Sequence, residues 1–397
     1  MQHRTIQHRT EHTRTAHARP HTDRGHSIRR TGLTVLAGAT ALALNACSTL
    51  WDGGSSSPDD ASSTVVLLTH ESFAVSDDVL AGFEERTGLT VERRAPGDSG
   101  ALVNQLVLSK DSPLADAVYG IDNTFASRAL DADILAPYAS TPHSSAQNSS
   151  AQDSSAQDYS TQTSADVERF AVDDTQRLSA IDYSDVCINA DTDWFAEQDL
   201  AVPRTLTDLA DPAYEDLLVV TNPATSSPGL AFLMTTVDAF GADGWSDYWA
   251  QLRDNGVKVV DGWSDAYYVD FSGSDGQGPR PLVLSYASSP PSEVRQGEAR
   301  TQALLDTCFR QVEYAGVLAG AQNPDGAQQL IDFLLSRKFQ EEVPVQMYVY
   351  PVSSQAELPP QWERFAPLAD QPYELSPQEI DANREAWIRE WDDVVVG

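Results

Sequence analysis

The sequence predicts an α/β fold with a parallel sheet, and three observations support this. From Thr64 onward, strand-like runs rich in Val, Ile and Leu alternate with segments of helical periodicity. The connections between them are short, as in strand–helix–strand units. The chain has 397 residues and 41% of them are hydrophobic, which is enough for one large domain or two ordinary domains.

The first elements follow one another closely. Val79, Leu80 and Phe83 recur at helical spacing, with Ser76 or Asp77 as the N-cap. In order, the sequence predicts strand 65–69, helix 76–87 ending at Gly88, strand 89–93, helix 100–109 and strand 116–121.

The second half of the chain continues the alternation. It predicts an extended segment 177–189, the start of a helix at 205–209, strand 217–221 and an amphipathic helix over 325–340. Ser376 and Glu379 form a capping-box pattern with Pro377 at the first helical position, which predicts a terminal helix through Trp391.

The N-terminal residues 1–46 have the pattern of an export signal. They contain seven Arg and two acidic residues, followed by an apolar stretch of about 13 residues, which is too short to span a bilayer. The run from Leu44 to Cys47 resembles a bacterial lipobox, in which Cys47 is lipidated. Alternatives are a soluble tail with an incidental cysteine and, for the export route, a twin-arginine signal at Arg29–Arg30.

Two segments have compositions that cannot form a packed core. Residues 47–63 are rich in Ser, Gly, Pro and Asp and are predicted to be a flexible tether. Tandem pentads rich in Ser, Ala and Gln fill residues 144–163, which predicts a disordered insertion over 140–166.

Charge and motif content favour binding over catalysis. The formal net charge of −33 argues against a nucleic-acid partner. Beyond the leader only His70 and His143 remain, and no nucleophile-elbow, zinc-binding or P-loop motif occurs. We therefore expect no enzyme, cofactor or metal. Cys187 and Cys308 form either one disulfide or two separate buried thiols.

Several motifs occur in the order seen in the thiamine-binding proteins of bacterial ABC transporters, and the resemblance covers about residues 64–397 without the insertion. The more specific motifs are Gly262-Trp-Ser-Asp-Ala-Tyr267 and Leu284-Ser-Tyr-Ala-Ser-Ser-Pro290. The others are Thr69-His-Glu-Ser-Phe-Ala74, Tyr119-Gly-Ile-Asp-Asn123, Ile181-Asp-Tyr183, Asn222-Pro-Ala-Thr-Ser-Ser-Pro-Gly-Leu230 and Tyr348-Val-Tyr-Pro-Val352.

The resemblance implies a two-lobed periplasmic-binding-protein type II fold with hinge strands between the lobes. Its implied organisation is a signal peptide 1–46, tether 47–63, first lobe 64–182, second lobe 183–310 and a return to the first lobe with C-terminal helices over 311–397. Residues 181–189 resemble the first crossing and 308–315 the return. If the two crossings lie side by side, Cys187 and Cys308 are close enough to bridge.

The resemblance also implies a site for the cationic thiazolium and flat aminopyrimidine of thiamine. Trp263, Tyr286 and Tyr348 match the ring-stacking positions, and aromatic faces suit a cation. Tyr348 departs from the family, which more often has Trp there. Ser292 also departs, since relatives commonly carry Tyr at that position. For each aromatic residue, the alternative is a core position.

Polar candidates complete the predicted site. Thr225, Ser226 and Ser227 precede a helix running through 231–240 and could bind a phosphate of the ligand or simply cap the helix. Glu71 and Asp122 are candidates for the aminopyrimidine or the cationic charge, or are solvated loop carboxylates.

Two rival functions stay open. Tyr267, included among the predicted ligand contacts, forms a tandem pair with Tyr268 that would suit ferric iron. A lipid-anchored surface hydrolase using paired carboxylates is the rival from another class. The favoured interpretation is a monomeric, extracytoplasmic lipoprotein, anchored at Cys47 to the outer face of the cell membrane. It would pass thiamine or its phosphates to an ABC permease.

Overall fold

Two long strands cross the middle of a mixed sheet. The computed structural model describes residues 63–138, 164–172 and 174–397. The predicted leader, the tether with Cys47, His143 and most of the Ser/Ala/Gln insertion lie outside these residues. The strands are β1 (Thr64–Thr69), β2 (Thr90–Arg94), β3 (Ala117–Asp122), β4 (Leu135–Ala136), β5 (Ser179–Asp191), β6 (Leu218–Thr221), β7 (Lys258–Val260), β8 (Leu282–Tyr286), β9 (Val294–Arg295), β10 (Glu298–Ala299), β11 (Thr301–Ala303), β12 (Phe309–Leu318) and β13 (Tyr350–Pro351).

Helices cover the sheet, as expected for parallel strands that are buried on both faces. They are α1 (Asp77–Thr87), α2 (Ser99–Leu108), α3 (Ala126–Asp131), α4 (Ser164–Glu168), α5 (Thr192–Glu197), α6 (Leu206–Leu209), α7 (Ser227–Phe240), α8 (Trp245–Asp254), α9 (Trp263–Asp265), α10 (Pro324–Leu334), α11 (Arg337–Gln340), α12 (Val343–Gln346), α13 (Trp362–Phe365) and α14 (Pro377–Val395). A π-helical turn covers Ala266–Asp270, and 3₁₀ turns cover Pro212–Tyr214, Pro290–Glu293 and Leu305–Thr307. Within the described part of the chain, no helix is long and apolar enough to span a membrane.

The sheet has two parallel halves joined by β5 and β12. Its strand order is β2-β1-β3-β12-β5-β8-β6-β7. Strand β1 is parallel to β2 and β3, and β6 is parallel to β7 and β8. The N-terminal half of β5 pairs with β12 and its C-terminal half pairs with β8, both antiparallel. The α/β class, with two lobes and crossing strands between them, is therefore confirmed. The predicted boundaries at 182/183 and 310/311 fall inside β5 and β12, and they remain a proposal.

A disulfide joins the two crossing strands. Cys187 lies in β5, Cys308 immediately precedes β12, and their Cα atoms are 4.3 Å apart. This is close to the separation of opposed, non-hydrogen-bonded residues on antiparallel strands. Both side chains are fully buried beside Ala287.

The helix prediction over 325–340 was wrong in one respect, because the segment forms two helices. Helix α10 ends at Leu334, and Ser336 then caps α11 by accepting a hydrogen bond from the backbone N–H of Phe339. The break lets Gln340 donate to the carbonyl oxygens of Ile181 and Leu334, at 2.9 Å each. The Ser/Ala/Gln insertion was predicted to be disordered over 140–166, but α4 begins at Ser164, within its last residues.

The terminal helix α14 contacts both lobes. Trp391 packs edge-on against Trp249 of α8, with ring centroids 5.5 Å apart. Near its other end, Arg384 donates to the hydroxyl of Ser127 in α3 at 3.0 Å. Helix α14 therefore packs on α8 of the second lobe and on α3 of the first.

Candidate functional site

A cavity of about 230 Å³ lies where the loops after β1, β7 and β8 meet the segment before β13. In open α/β folds the carboxyl ends of parallel strands are the usual place for ligands. The volume is slightly below the roughly 300 Å³ at the lower end of typical small-molecule sites. The lining residues are His70, Glu71, Ser72, Phe73, Ala74, Trp263, Ser264, Tyr268, Tyr286, Glu313, Gln346, Met347, Tyr348 and Val349.

Aromatic rings surround Trp263 in this cavity. The centroids of Tyr268, Tyr286 and Tyr348 lie 5.3, 6.2 and 6.4 Å from that of Trp263. Behind it, Tyr267 stacks on the indole at 4.9 Å with an interplanar angle of 17°. The arrangement presents several ring faces and edges to one small volume, which suits a flat or cationic ligand.

Contacts with residues distant in the sequence hold Trp263 in place. Its indole N–H donates to the hydroxyl of Ser285 at 2.9 Å, and its backbone N–H donates to Oδ2 of Asp98 at 3.1 Å. A Cβ atom on Gly262 would lie only 2.6 Å from Oε1 of Glu71, so the lobes approach closely at this glycine. These contacts account for the glycine at 262 and for the fixed position of the Trp263 ring.

Tyr348 has a backbone conformation that is unusual for an aromatic residue. Its φ angle is 59°, in the left-handed region. The hydroxyl of Ser288 donates to its carbonyl oxygen at 2.6 Å and holds this conformation. Strained residues of this kind persist where the surroundings fix them and cluster at ligand sites. Here the conformation places the ring beside Trp263.

Carboxylates on one side of the cavity favour a cation. Burial raises the pKa of Glu71, and the negative charges of Asp98 and Asp265 raise it further, while a hydrogen bond from Ser264 lowers it. A positive group that approaches these three carboxylates offsets the electrostatic repulsion among them. The local field is therefore suited to a positively charged ligand.

A buried polar cluster forms the opposite, inner end of the cavity. The hydroxyl of Tyr119 lies 2.5 Å from Oδ2 of Asp182 and 3.2 Å from Oε2 of Glu313. Nε2 of His70 lies 3.5 Å from the same Oε2. Burial and the charge of Glu313 raise the pKa of Asp182 well above its usual range. The pKa of the neighbouring Glu313 shifts the other way, below its usual range: burial raises it, but His70, Asp182 and Tyr119 together lower it more.

Comparison with known proteins decides the family. The model of the bacterial extracellular solute-binding proteins matches residues 112–369 of this chain. The chain belongs to this family. It is 27% identical over 350 residues to a thiamine-binding periplasmic protein of Salmonella typhimurium, covering 85% of this chain and 95% of the relative.

Solved structures share the fold of this solute-binding protein. A periplasmic thiamin binding protein superposes with a TM-score of 0.70 at 24% identity, covering 84% of this chain and 96% of that one. Iron-bound HitA from Pseudomonas aeruginosa gives a TM-score of 0.61 at 21% identity, covering 83% and 99%. Both are two-lobed type II binding proteins, as the sequence predicted for this chain.

The structure brings four of the predicted contacts of this solute-binding protein together. Glu71, Trp263, Tyr286 and Tyr348 all line the cavity. Tyr267 does not line it but packs behind Trp263, and its hydroxyl lies 3.2 Å from Oε1 of Glu293. Burial and the charge of Glu293 raise the pKa of Tyr267 well above its usual range.

The remaining predicted contacts lie away from the cavity. The hydroxyl of Ser226 donates to that of Thr221 at 2.8 Å, and the hydroxyl of Thr225 donates to the carbonyl oxygen of Asp261 at 2.8 Å. Ser226 and Ser227 are fully buried at the start of α7. None of the three is part of the lining.

Asp122 is a core residue rather than a cleft residue. It is fully buried at the end of β3, where both of its carboxyl oxygens lie 2.9 Å from the hydroxyl of Thr124. Burial raises the pKa of Asp122 to about 7, although hydrogen bonding to the Ser227 and Thr124 hydroxyls lowers it. A carboxyl group of this chain therefore lies close to the N-terminus of α7.

Sequence reasoning about ligand contacts missed several lining residues, among them His70, Tyr268 and Glu313. His70 was considered only as a catalytic base, Tyr268 only for iron, and Glu313 not at all. A signal for Glu313 existed, because it is an acidic residue inside the apolar run of β12, and such residues often belong to functional sites. A larger open groove of about 940 Å³ lies elsewhere, along 205–207, 239–240 and 367–373, and lacks the tryptophan-centred ring cluster.

Proposed function

We propose that this solute-binding protein captures thiamine in the cavity around Trp263 and delivers it to an ABC importer. The observation that carries this proposal is the combination of aromatic rings around Trp263 with the carboxylates of Glu71, Asp98 and Asp265. A thiazolium cation over aromatic faces gains about 0.5 to 2 kcal/mol per desolvated contact. The named relatives bind thiamine, which supports the same ligand here.

Unphosphorylated thiamine fits these surroundings better than its diphosphate. Of the three hydroxyls expected to form a phosphate site, those of Thr225 and Ser226 are already engaged within the protein. Asp122 lies near Ser227 at the start of α7, and in its ionised form, above about pH 7, it would repel a phosphate. The formal net charge of −33 also attracts a cation and repels an anion at long range.

A ferric-iron function is less well supported. A phenolate ligand requires loss of the tyrosine proton, and burial together with Glu293 opposes this at Tyr267. Among the described residues, no group of three or more His, Cys, Asp or Glu side chains is arranged to hold a metal ion. Iron-binding relatives share the fold with this chain at 21% identity or less among those compared.

The carrier is proposed to work outside the cytoplasm as a lipid-anchored monomer. The lipobox-like run ending at Cys47 supports anchoring to the outer face of the cell membrane, with residues 48–63 as a tether. Changing Cys47 to Ala in the full chain should block labelling by a radioactive fatty acid and release the protein from the membrane fraction. Unchanged labelling would contradict the anchor and leave thiamine binding untouched.

Calorimetric titration tests the binding function. The chain without its leader and Cys47, residues 48–397, is titrated with thiamine, thiamine phosphate, thiamine diphosphate and Fe³⁺. We expect the tightest binding for thiamine and the weakest among the three vitamin forms for the diphosphate. Saturable binding of Fe³⁺ with a visible charge-transfer band, and no heat with thiamine, would overturn the proposal.

A further inference from the structure

His70 and Glu313 lie side by side at the inner end of the cavity. Both side chains are more than nine-tenths buried, and both line the cavity. Nε2 of His70 has no hydrogen-bond partner among the described residues, since Oε2 of Glu313 is 3.5 Å away. A buried polar atom without a partner is costly, so a ligand that supplies one gains affinity.

A hydrogen bond to the imidazole ring determines which of its two nitrogens carries the proton. Nδ1 accepts a hydrogen bond from the backbone N–H of Ser72 at 3.2 Å, so the proton of the neutral ring is on Nε2. The ring is held in place by Gly120, where a Cβ atom would lie 2.3 Å from the imidazole. The N–H of His70 is therefore on the nitrogen beside Glu313, at the inner end of the cavity that both residues line.

Glu313 presents an acceptor beside that donor. Burial raises the pKa of Glu313, but the neighbouring His70, Asp182 and Tyr119 together lower it below its usual range. Its Oε1 has one protein donor, Nε2 of Gln311 at 3.4 Å. An ionised carboxylate with a single long contact on one oxygen retains capacity to accept from a ligand.

We propose that His70 and Glu313 form a donor–acceptor pair that recognises the aminopyrimidine edge of thiamine and rejects pyrimidines that lack the exocyclic amine. The inference rests on the proposed function, which it deepens. In thiamine a ring nitrogen that accepts stands next to an amine that donates. The His70 N–H pairs with the ring nitrogen, and the Glu313 carboxylate accepts from the amine.

Oxythiamine is the probe that isolates this pairing. It keeps the thiazolium and the hydroxyethyl arm but has a carbonyl group and a ring N–H where thiamine has the amine and the acceptor nitrogen. The two groups could pair with His70 and Glu313 only if the ring turned over, which would displace the carbon that links it to the thiazolium. Sites built to hydrogen-bond a polar group discriminate strongly against analogues that lack it.

The experiment measures the dissociation constants of thiamine and oxythiamine for residues 48–397. We expect the wild-type protein to prefer thiamine by about 10- to 100-fold, the range of one or two charge-assisted hydrogen bonds. Glu313→Gln should reduce this preference to about threefold or less. His70→Ala should also reduce it, whereas His70→Gln, which retains an N–H at similar reach, should preserve more of it.

Glu71→Gln is the matched control. It removes the carboxylate of another lining residue, which we assign to the cationic part shared by both ligands, so both should weaken while their ratio stays constant. Wild-type protein that binds both ligands equally would overturn the pairing but not the proposed function. Wild-type protein that binds neither would overturn the proposed function itself. If Glu313→Gln does not fold, the ratio of the two dissociation constants in the wild-type protein and in the His70 variants still tests the pairing.

Discussion

The backbone N–H of Trp263 donates to Oδ2 of Asp98, 3.1 Å away, and this bond joins the two lobes beside the cavity. Oδ1 of the same carboxylate accepts from the backbone N–H of Ser99 at 2.6 Å and caps α2. One buried side chain therefore begins a helix of the first lobe and positions the principal ring of the second.

Replacing Asp98 by Ala should weaken both functions of this side chain. Loss of the helix cap typically costs about 1 kcal/mol of stability. Loss of the contact to Trp263 should weaken thiamine binding by about tenfold, which corresponds to about 1.4 kcal/mol. Calorimetry and thermal unfolding measure the two effects. Asp98→Asn keeps one acceptor oxygen, so it should retain one of the two contacts and lose less in total than Asp98→Ala, and equal losses in the two variants would contradict the hydrogen-bond explanation.

Trp263→Ala should weaken thiamine binding by at least tenfold, about 1.4 kcal/mol, because the ring at the centre of the aromatic cluster is lost. Trp391→Phe is a suitable control, since Trp391 is equally buried but packs on Trp249 away from the cavity. It should lower the melting temperature and leave the affinity of the folded protein unchanged. An unaltered affinity in Trp263→Ala would show that the ligand binds elsewhere.

Asp122 should make the protein less stable as the pH rises. Its pKa is raised to about 7 by burial, so between its ordinary value and about 7 the folded state holds a proton that the unfolded state releases. Stability from this group is therefore greatest at low pH and is lost as the pH rises toward 7. One proton contributes at most about 1.4 kcal/mol per pH unit.

Asp122→Asn removes this titration while keeping an oxygen for Thr124 and the backbone N–H of Phe125. The melting temperature of the variant should vary less between pH 5 and 8 than that of the wild-type protein. At pH 8 the variant should be at least as stable. A parallel pH dependence in the two proteins would contradict the assignment to Asp122.

The disulfide between Cys187 and Cys308 should stabilise the protein strongly. The two residues are 121 positions apart, and closing a loop of this length constrains the unfolded chain by about 4 to 5 kcal/mol in the chain-entropy model. In residues 48–397, thiol labelling should find no free cysteine before reduction and two afterwards. The Cys187→Ala/Cys308→Ala variant should unfold at a markedly lower temperature, whereas two reactive thiols in the unreduced protein would rule out the bridge.

The local elements were predictable because their patterns are local. Val79 and Phe83 occupy the buried face of α1, and Gly88 ends it in the left-handed conformation. The break before Ser336 was not predictable, because it depends on Gln340 reaching the backbone of β5 and α10. Tertiary contacts of this kind leave no periodic signal in the sequence.

Sequence reasoning identified residues of the cavity only where a motif resembled the thiamine-binding proteins. Trp263, Tyr286 and Tyr348 were found in this way, and the structure places them together. Asp122 and Glu313 could not be assigned correctly from position alone. Each is an acidic residue of a strand, and only the packing of neighbouring elements decides whether its carboxyl turns into the core or lines the cavity.

Helix α14 also constrains how the cleft can open. Near its C-terminus, the carbonyl oxygen of Val394 accepts from Arg253 of α8 at 2.7 Å, while Arg384 is bonded to Ser127 of α3 at 3.0 Å. A straight separation of the lobes would break one of these bonds. Helix α14 therefore limits opening to movements in which its two ends stay in contact with the two lobes.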